Sequence, residues 1–230
     1  RLAVFVNLVY GSPSTHTGVE LVLATYLLAV QIYCDFSGYT DMARGVANVL
    51  GFRLMENFNY PFLATSLSEF WRRWHISLSS WFRDYLYIPM GGNRRSPMRN
   101  GINIFTVFLV SGLWHGANWT FIVWGAMHGA AMVLLSQTTR LRDSMWKILG
   151  ISGQSPMRQF LGRGLTVSFF AFSLIFFRSR SMAEAFEIIQ RIVKNFNLLT
   201  PGDSSLLRGY EMIVLVGLGL ALGLVQWLRR

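Results

Sequence analysis

The sequence predicts an all-α protein that crosses a membrane several times. Three observations carry that expectation. Hydrophobic residues make up 52% of the chain, charged residues only 14% and aromatic residues 15%, a composition displaced from soluble averages toward a bilayer protein. The apolar residues gather in runs approaching the roughly 20 needed to cross about 30 Å of hydrocarbon. Between the runs lie short segments rich in Trp, Arg and His, which suit helices at a membrane surface.

In chain order, Leu2–Val9 reads as the end of an apolar helix. Gly18–Tyr33 is apolar apart from Glu20, Thr25 and Gln31. Beyond it, Asp35, Asp41 and Arg44 interrupt an apolar stretch that reaches Phe52. Asp41 and Arg44, three residues apart, suit a pair on one helical face. Charges buried in such a stretch need partners. A structural polar network is one role for them, and the lining of a substrate passage is the other.

Glu69–Tyr85 is the densest chemical segment. Ser66-x-x-Glu69 is a capping-box pattern that starts a helix. On a helical period, Trp71, Trp74, His75, Leu78, Trp81, Phe82 and Tyr85 share one stripe, with Arg72, Arg73 and Arg83 opposite. That places a titratable imidazole within an aromatic face. The alternative is a basic amphipathic helix at the membrane surface, with His75 as packing.

Ile102–Leu135 is apolar throughout, and as one helix would run about 50 Å, well beyond the bilayer core. It must break, and Gly112 and Gly116 mark the place. Interrupted backbone at membrane depth survives only where protein or a water-filled cavity satisfies it. His115 sits at that break, and an ionisable residue within a span is a functional candidate. The other reading is an imidazole that satisfies a loose carbonyl. His128 lies between Gly125 and Gly129, a small-residue spacing suited to close helix packing, and reads as a hydrogen-bonded packing residue. Asn118–Leu135, Gly164–Phe177 and Met212–Leu228 are further candidate spans. His16, in a polar loop, is given no role.

The net charge is +10. In a soluble protein that would suggest nucleic acid, but here it is explained by loops, and no nucleic-acid partner is expected. Arg94, Arg95 and Arg99 lie in the Gly91–Asn100 loop, and further Arg and Lys lie within Ser136–Arg163. A hairpin between the two loops returns them to one side, which the positive-inside rule makes cytoplasmic. Arg94 and Arg95 then either set orientation or attract donor phosphates through their planar forks. Met182–Val193 has an amphipathic pattern that suits the interface. A single Cys34 excludes an internal disulfide and a cysteine metal cluster, and the scattered histidines match no standard metal motif. The chain begins within an apolar run. We therefore expect residues 1–230 to form one membrane domain, a piece of a longer protein with further N-terminal spans.

Several long motifs occur in order. They are Asp35-Phe-Ser-Gly-Tyr-Thr-Asp41-Met-Ala, Glu56-Asn-Phe-x-Tyr-Pro61, Phe70-Trp-Arg-Arg-Trp-His75-Ile-Ser-Leu-Ser, Arg83-Asp-Tyr-Leu-Tyr-Ile-Pro89-x-Gly-Gly-Asn93-Arg94 and Gly112-Leu-Trp-His115-Gly. Together they resemble the membrane-bound O-acyltransferase family, in particular its bacterial branch that acetylates exported polysaccharides of the alginate type. The resemblance implies broken and interfacial helices around a tunnel, in a multi-pass protein of the bacterial inner membrane. It implies acyl transfer, of acetyl, to a polysaccharide hydroxyl. The donor would be acetyl-CoA or another activated acyl group, with no bound cofactor and no metal. Partner acetylation proteins in the membrane or periplasm are compatible with it, as is contact with membrane lipid. The family's Trp-His-Gly histidine matches His115, the catalytic base, and His75 is a supporting residue that orients the hydroxyl or donates to the oxyanion. Trp71, Trp74, Trp81 and Trp114 would wall the site, and Asp35, Asp41, Arg94 and Arg95 are further substrate-binding candidates. D-alanyl transfer to teichoic acid, or movement of an acyl group for a periplasmic transferase, are the alternatives.

Overall fold

The computed structural model describes residues 2–153 and 155–195. Among them the chain is helical without a strand. The helices are α1 (Leu2–Gly11), α2 (Gly18–Val49), α3 (Leu67–Arg73), α4 (Ile76–Phe82), α5 (Pro97–His115), α6 (Trp119–Gln137), α7 (Thr139–Ile148), α8 (Pro156–Arg178) and α9 (Met182–Lys194). α2, α6 and α8 are long and apolar enough to cross a membrane, so this is an all-α membrane protein. The apolar run Met212–Leu228 lies outside the described residues. Two compact units are distinguished: the described parts of Arg1–Cys34 with Glu187–Arg230, and Asp35–Phe186.

In the first unit, α2 starts at a second capping box, Thr17-x-x-Glu20. The Glu20 carboxylate accepts from the backbone N–H and the hydroxyl of Thr17 at 2.8 and 3.1 Å, and the Glu20 N–H returns a bond to Thr17 Oγ1. His16 lies in the loop before α2, as its polar neighbours suggest, yet it is buried, with Nδ1 3.4 Å from Glu20 Oε2. Thr25 spends its hydroxyl proton on Leu21 O, so the Tyr10 hydroxyl is the donor in the 2.8 Å bond between Tyr10 and Thr25.

The second unit is organised by a helical hairpin. α5 ends at His115 and α6 begins at Trp119, so the long apolar region does break beside Gly116. Asn118 caps α6 by accepting from the Thr120 N–H, and its amide donates to Arg180 O. The helices run antiparallel at backbone contact. A Cβ on Gly112 would collide with Phe121 O, one on Gly125 with Phe108 O, and one on Gly129 would meet Phe105. The small residues of Gly125-x-x-x-Gly129 are therefore the hairpin's own seam. α8 lies on α6, and its Gly162 leaves room for Thr65 O. Phe70, Trp74, Phe62 and Phe170 interlock beneath as an aromatic core.

Two expectations are corrected here. Asp35 and Asp41 are exposed in the chain, not buried. Asp41 does pair with Arg44 at 3.2 Å, and the same guanidinium reaches Glu56 at 3.3 Å. Within the segment read as loop, Thr139–Ile148 is helical, with Leu141, Met145 and Ile148 exposed along one stripe. Arg158 of α8 secures it, bonding Asp143 at 2.6 Å and lying over the Trp146 ring.

Candidate active site

The helix expected to run on from the Ser66 cap is broken at His75. Its start is as foreseen: Ser66 Oγ accepts from the Glu69 N–H. The Glu69 carboxylate reaches back to the N–H and hydroxyl of Thr65 at 2.7 and 2.9 Å, and pairs with Arg73 at 2.6 Å. Burial alone would raise the Glu69 pKa, but the two Thr65 bonds and the Arg73 charge outweigh it and hold the carboxyl below its usual value. α3 then stops, and His75 takes a left-handed conformation, φ 46° and ψ 53°.

A side chain with a Cβ enters that region at a cost, and a neighbouring segment offsets it. The Asn59 N–H donates to Arg73 O, and the Ile76 N–H donates to Asn57 O. Phe58 pairs with Trp74 in an isolated antiparallel bridge. The Asn57 side-chain oxygen accepts from both the N–H and the hydroxyl of Ser77, at 3.1 and 2.9 Å. The Glu56-Asn-Phe-x-Tyr-Pro61 motif is thus the brace that holds His75 between two short helices. The continuous stripe from Trp71 to Tyr85 does not form. Past α4 the chain widens into a turn in which the Ile88 N–H reaches Arg83 O, five residues back.

The break turns His75 toward α2 and α5. Its ring stands edge-on to Phe36, with centroids 4.7 Å apart, and lies 6.3 Å from Trp114. Trp114 in turn is 4.9 Å from His115. His115 is further enclosed by Trp124 at 5.3 Å and Phe177 at 5.0 Å. One indole thus stands between two imidazoles in a single aromatic cluster. Each imidazole is half-buried, and neither is hydrogen-bonded to another described residue. Burial, with His115 beside it, pushes the His75 pKa down to about 4, so His75 is neutral at pH 7, with one N–H to donate and one lone pair to accept.

His128 differs. It is fully buried, and Nε2 lies 2.9 Å from Ser173 Oγ. Ser173 commits its own proton to Phe170 O at 2.7 Å, so His128 donates to it. Trp71, Trp124 and Phe169 enclose the ring. His128 is tied into packing, as its glycine-flanked setting suggested.

The remaining candidates separate. Trp114 lies within the cluster. Trp71 is one ring removed, against Trp124 at 5.9 Å. Trp74 belongs to the core and is 6% exposed. Trp81 is exposed on α4, and its ring contacts are Phe82 and Tyr85. Arg94 and Arg95 lie before the N-terminus of α5, about 28 Å along that helix from His115. Phe36, Trp124 and Phe177 were not singled out from sequence. Folding the hairpin about Gly116 would have pointed to Trp124, which returns alongside the end of α5. Among the described residues, no cluster of His, Cys, Asp and Glu could hold a metal ion.

Comparison with known proteins agrees with this architecture. The sequence profile described as "MBOAT, membrane-bound O-acyltransferase family" matches residues 1–178. A protein of Azotobacter vinelandii named "Probable alginate O-acetylase AlgI" is 55% identical over 112 residues, 49% of this chain and 22% of the relative. The peptidoglycan O-acetyltransferase of Helicobacter pylori is 40% identical over 167 residues, 71% of this chain and 29% of the relative. The teichoic acid D-alanyltransferase of Bacillus subtilis is 36% identical over 117 residues, 48% of this chain and 30% of the relative. The matched segments thus span between about a fifth and a third of these relatives' lengths.

Proposed function

The chain belongs to the membrane-bound O-acyltransferase family, and from that premise we propose that it carries the transfer centre of an enzyme moving an acetyl group onto an exported polysaccharide. The observation that carries this reading is the pair of imidazoles, His75 and His115, facing one indole with their hydrogen-bonding capacity unspent. A sugar hydroxyl is a poor nucleophile. His115 accepts its proton as the oxygen attacks the acyl carbon. A new oxygen–carbon bond forms, the bond from that carbon to the donor breaks, and the leaving group carries away the electron pair and takes up the proton. His75, neutral at pH 7, donates its N–H to the hydroxyl being oriented or to the developing oxyanion. Trp124 and Phe177 shield His115 from water, while Trp114, 58% exposed, offers the acyl group a flat face.

The donor in this reading is acetyl-CoA or another activated acyl group, acting as a substrate. The setting is the inner membrane of a bacterium, with several spans and with acetylation partners in the membrane or periplasm. The alginate-named relative supports a polysaccharide acceptor by its higher identity, and the peptidoglycan-named relative by its longer coverage. D-alanyl transfer has the weaker match. Mass spectrometry of the cell-surface glycan tests the reading. Cells carrying the full-length protein should show O-acetyl groups on a polymer that cells lacking it leave unmodified. An identical glycan in the two would reject it.

A further inference from the structure

α5 carries a second feature, at the end opposite His115. Within α5, Met98, Arg99, Ile102 and Phe105 follow one another at steps of three residues or as neighbours and share one side of the helix, and Arg95 lies just before its N-cap. The surroundings change character from the start of α5 onward. Arg95, Ser96 and Arg99, with the Pro89–Gly91 turn, line a cavity of about 550 Å³. Met98, the chain neighbour of Arg99, joins Ile102 and Phe105, Ala131 and Leu134 of α6 and Phe169 of α8 in an apolar groove of about 840 Å³.

The cationic end is built, not merely basic. The buried Asn103 donates its amide to Met90 O and Gly92 O at 3.3 and 3.1 Å, and the Tyr87 hydroxyl donates to Asn100 at 2.6 Å. Those bonds fix the turn on α5. Gly91, at φ 105°, leaves the space that the Arg95 side chain occupies: a Cβ there would lie 3.0 Å from Arg95 Cγ. Arg94, Arg95 and Arg99 form no ion pair among the described residues. No Asp or Glu occurs between Asp84 and Asp143, so the cation cluster has no acid on its own hairpin. In the lining of the groove, the Gln137 amide nitrogen lies beside Gly101, and it makes no hydrogen bond to a described residue.

A free anion would satisfy the arginines and leave the groove open. A hydrocarbon chain would fill the groove and leave the arginines unpaired. The groove also runs along α6, which is long and apolar enough to span the membrane. We propose that this end of α5 is a binding site for an anionic phospholipid, its phosphate held by Arg95 and Arg99 and one acyl chain laid in the α5–α6 groove. Gln137, in the lining of the groove, donates to an ester carbonyl. The proposal stands independently of the acyl-transfer reading, and its failure would leave that reading untouched.

Native mass spectrometry of the full-length protein tests it, with phosphatidylglycerol and phosphatidylcholine of the same chains as probes. Two arginines near the head group correspond to roughly a 30-fold preference for the anionic lipid. Arg95→Gln with Arg99→Gln should reduce that preference to near unity; both side chains are exposed, so folding is preserved. Ala131→Phe, which fills the groove, should weaken retention of both lipids, with a thermal melt confirming a folded protein. A preference that persists in the arginine double variant would overturn the proposal. So would ready displacement of the lipid by glycerol phosphate or CoA, which would make this a site for soluble phosphates.

Discussion

Asn57 is the least conspicuous residue on which the proposed site depends, and replacing it with Ala isolates the brace from the chemistry. Asn57 Oδ1 accepts two part-buried bonds from Ser77, to the N–H at 3.1 Å and the hydroxyl at 2.9 Å. A bond of this kind is worth about 0.5–1.5 kcal/mol net, and loss of an N-cap-type acceptor costs about 1 kcal/mol. Asn57→Ala should therefore cost about 2 kcal/mol, read as a lowered Tm. The functional loss should be larger, because those bonds hold α4 where His75 sits at φ 46°. Once the brace is cut, relaxation of that residue into ordinary helical space swings the imidazole off Phe36 and Trp114. Asn57→Asp keeps the acceptor and adds a negative charge at a helix start, so it should stay within about 0.5 kcal/mol of the parent. The assay is thermal unfolding of the full-length protein in detergent, paired with glycan O-acetyl content in cells. Equal effects of Ala and Asp, or an Ala variant that loses stability and keeps full acetylation, would refute the claim that this brace positions His75.

Other expectations follow from the same geometry. Glu69 has a carboxyl held below its usual value, so its contribution to stability is complete above the unfolded value near 4.5 and fades as pH falls through the lower folded value. Thermal melts from pH 6 to pH 3 should show an acid-side loss that Glu69→Gln flattens, and parallel curves for the two proteins would remove Glu69 as its source. Gly112→Ala or Gly125→Ala drives a methyl into backbone on the facing helix, and should cost about 3 kcal/mol or more, against about 1 kcal/mol or less at Gly164, where nothing lies within reach. Expression and melting temperature of the three variants read this directly. For orientation, an impermeant thiol reagent added outside intact cells should fail to label Asn93→Cys and Ser152→Cys, both on the arginine-rich side of the hairpin; strong labelling would reverse the assignment.

The fold was legible where a single physical limit decided it. Ile102–Leu135 is too long for the bilayer, and Gly116 is the residue that ends a helix there, so the α5–α6 break could be read from the chain. Gly125-x-x-x-Gly129 announced a close approach, and Ser66-x-x-Glu69 announced a helix start, although the Glu69 carboxylate accepts from Thr65 and not from the Ser66 N–H. What stayed hidden depends on residues distant in sequence. Nothing local to His75 demands a left-handed backbone. The reason lies in Asn57, Phe58 and Asn59, which pair with Arg73–Ser77 from about sixteen residues upstream. Extending one helical period through that break put Trp74 and Trp81 on the same stripe as His75, whereas Trp74 faces the Phe70–Phe170 core and Trp81 is exposed. The enclosure of His115 by Trp124 and Phe177 is likewise a product of the hairpin and of α8, and periodicity within one helix carries no trace of it.

The most direct test of the two-imidazole centre is transfer of isotope-labelled acetyl to polysaccharide by purified full-length protein. His115→Ala should abolish transfer while the protein stays folded. His75→Asn should retain a measurable fraction, because an amide still donates a hydrogen bond, and His75→Leu should not. Transfer by His115→Ala at the parental rate, or equal activity of the Asn and Leu variants at His75, would contradict the account.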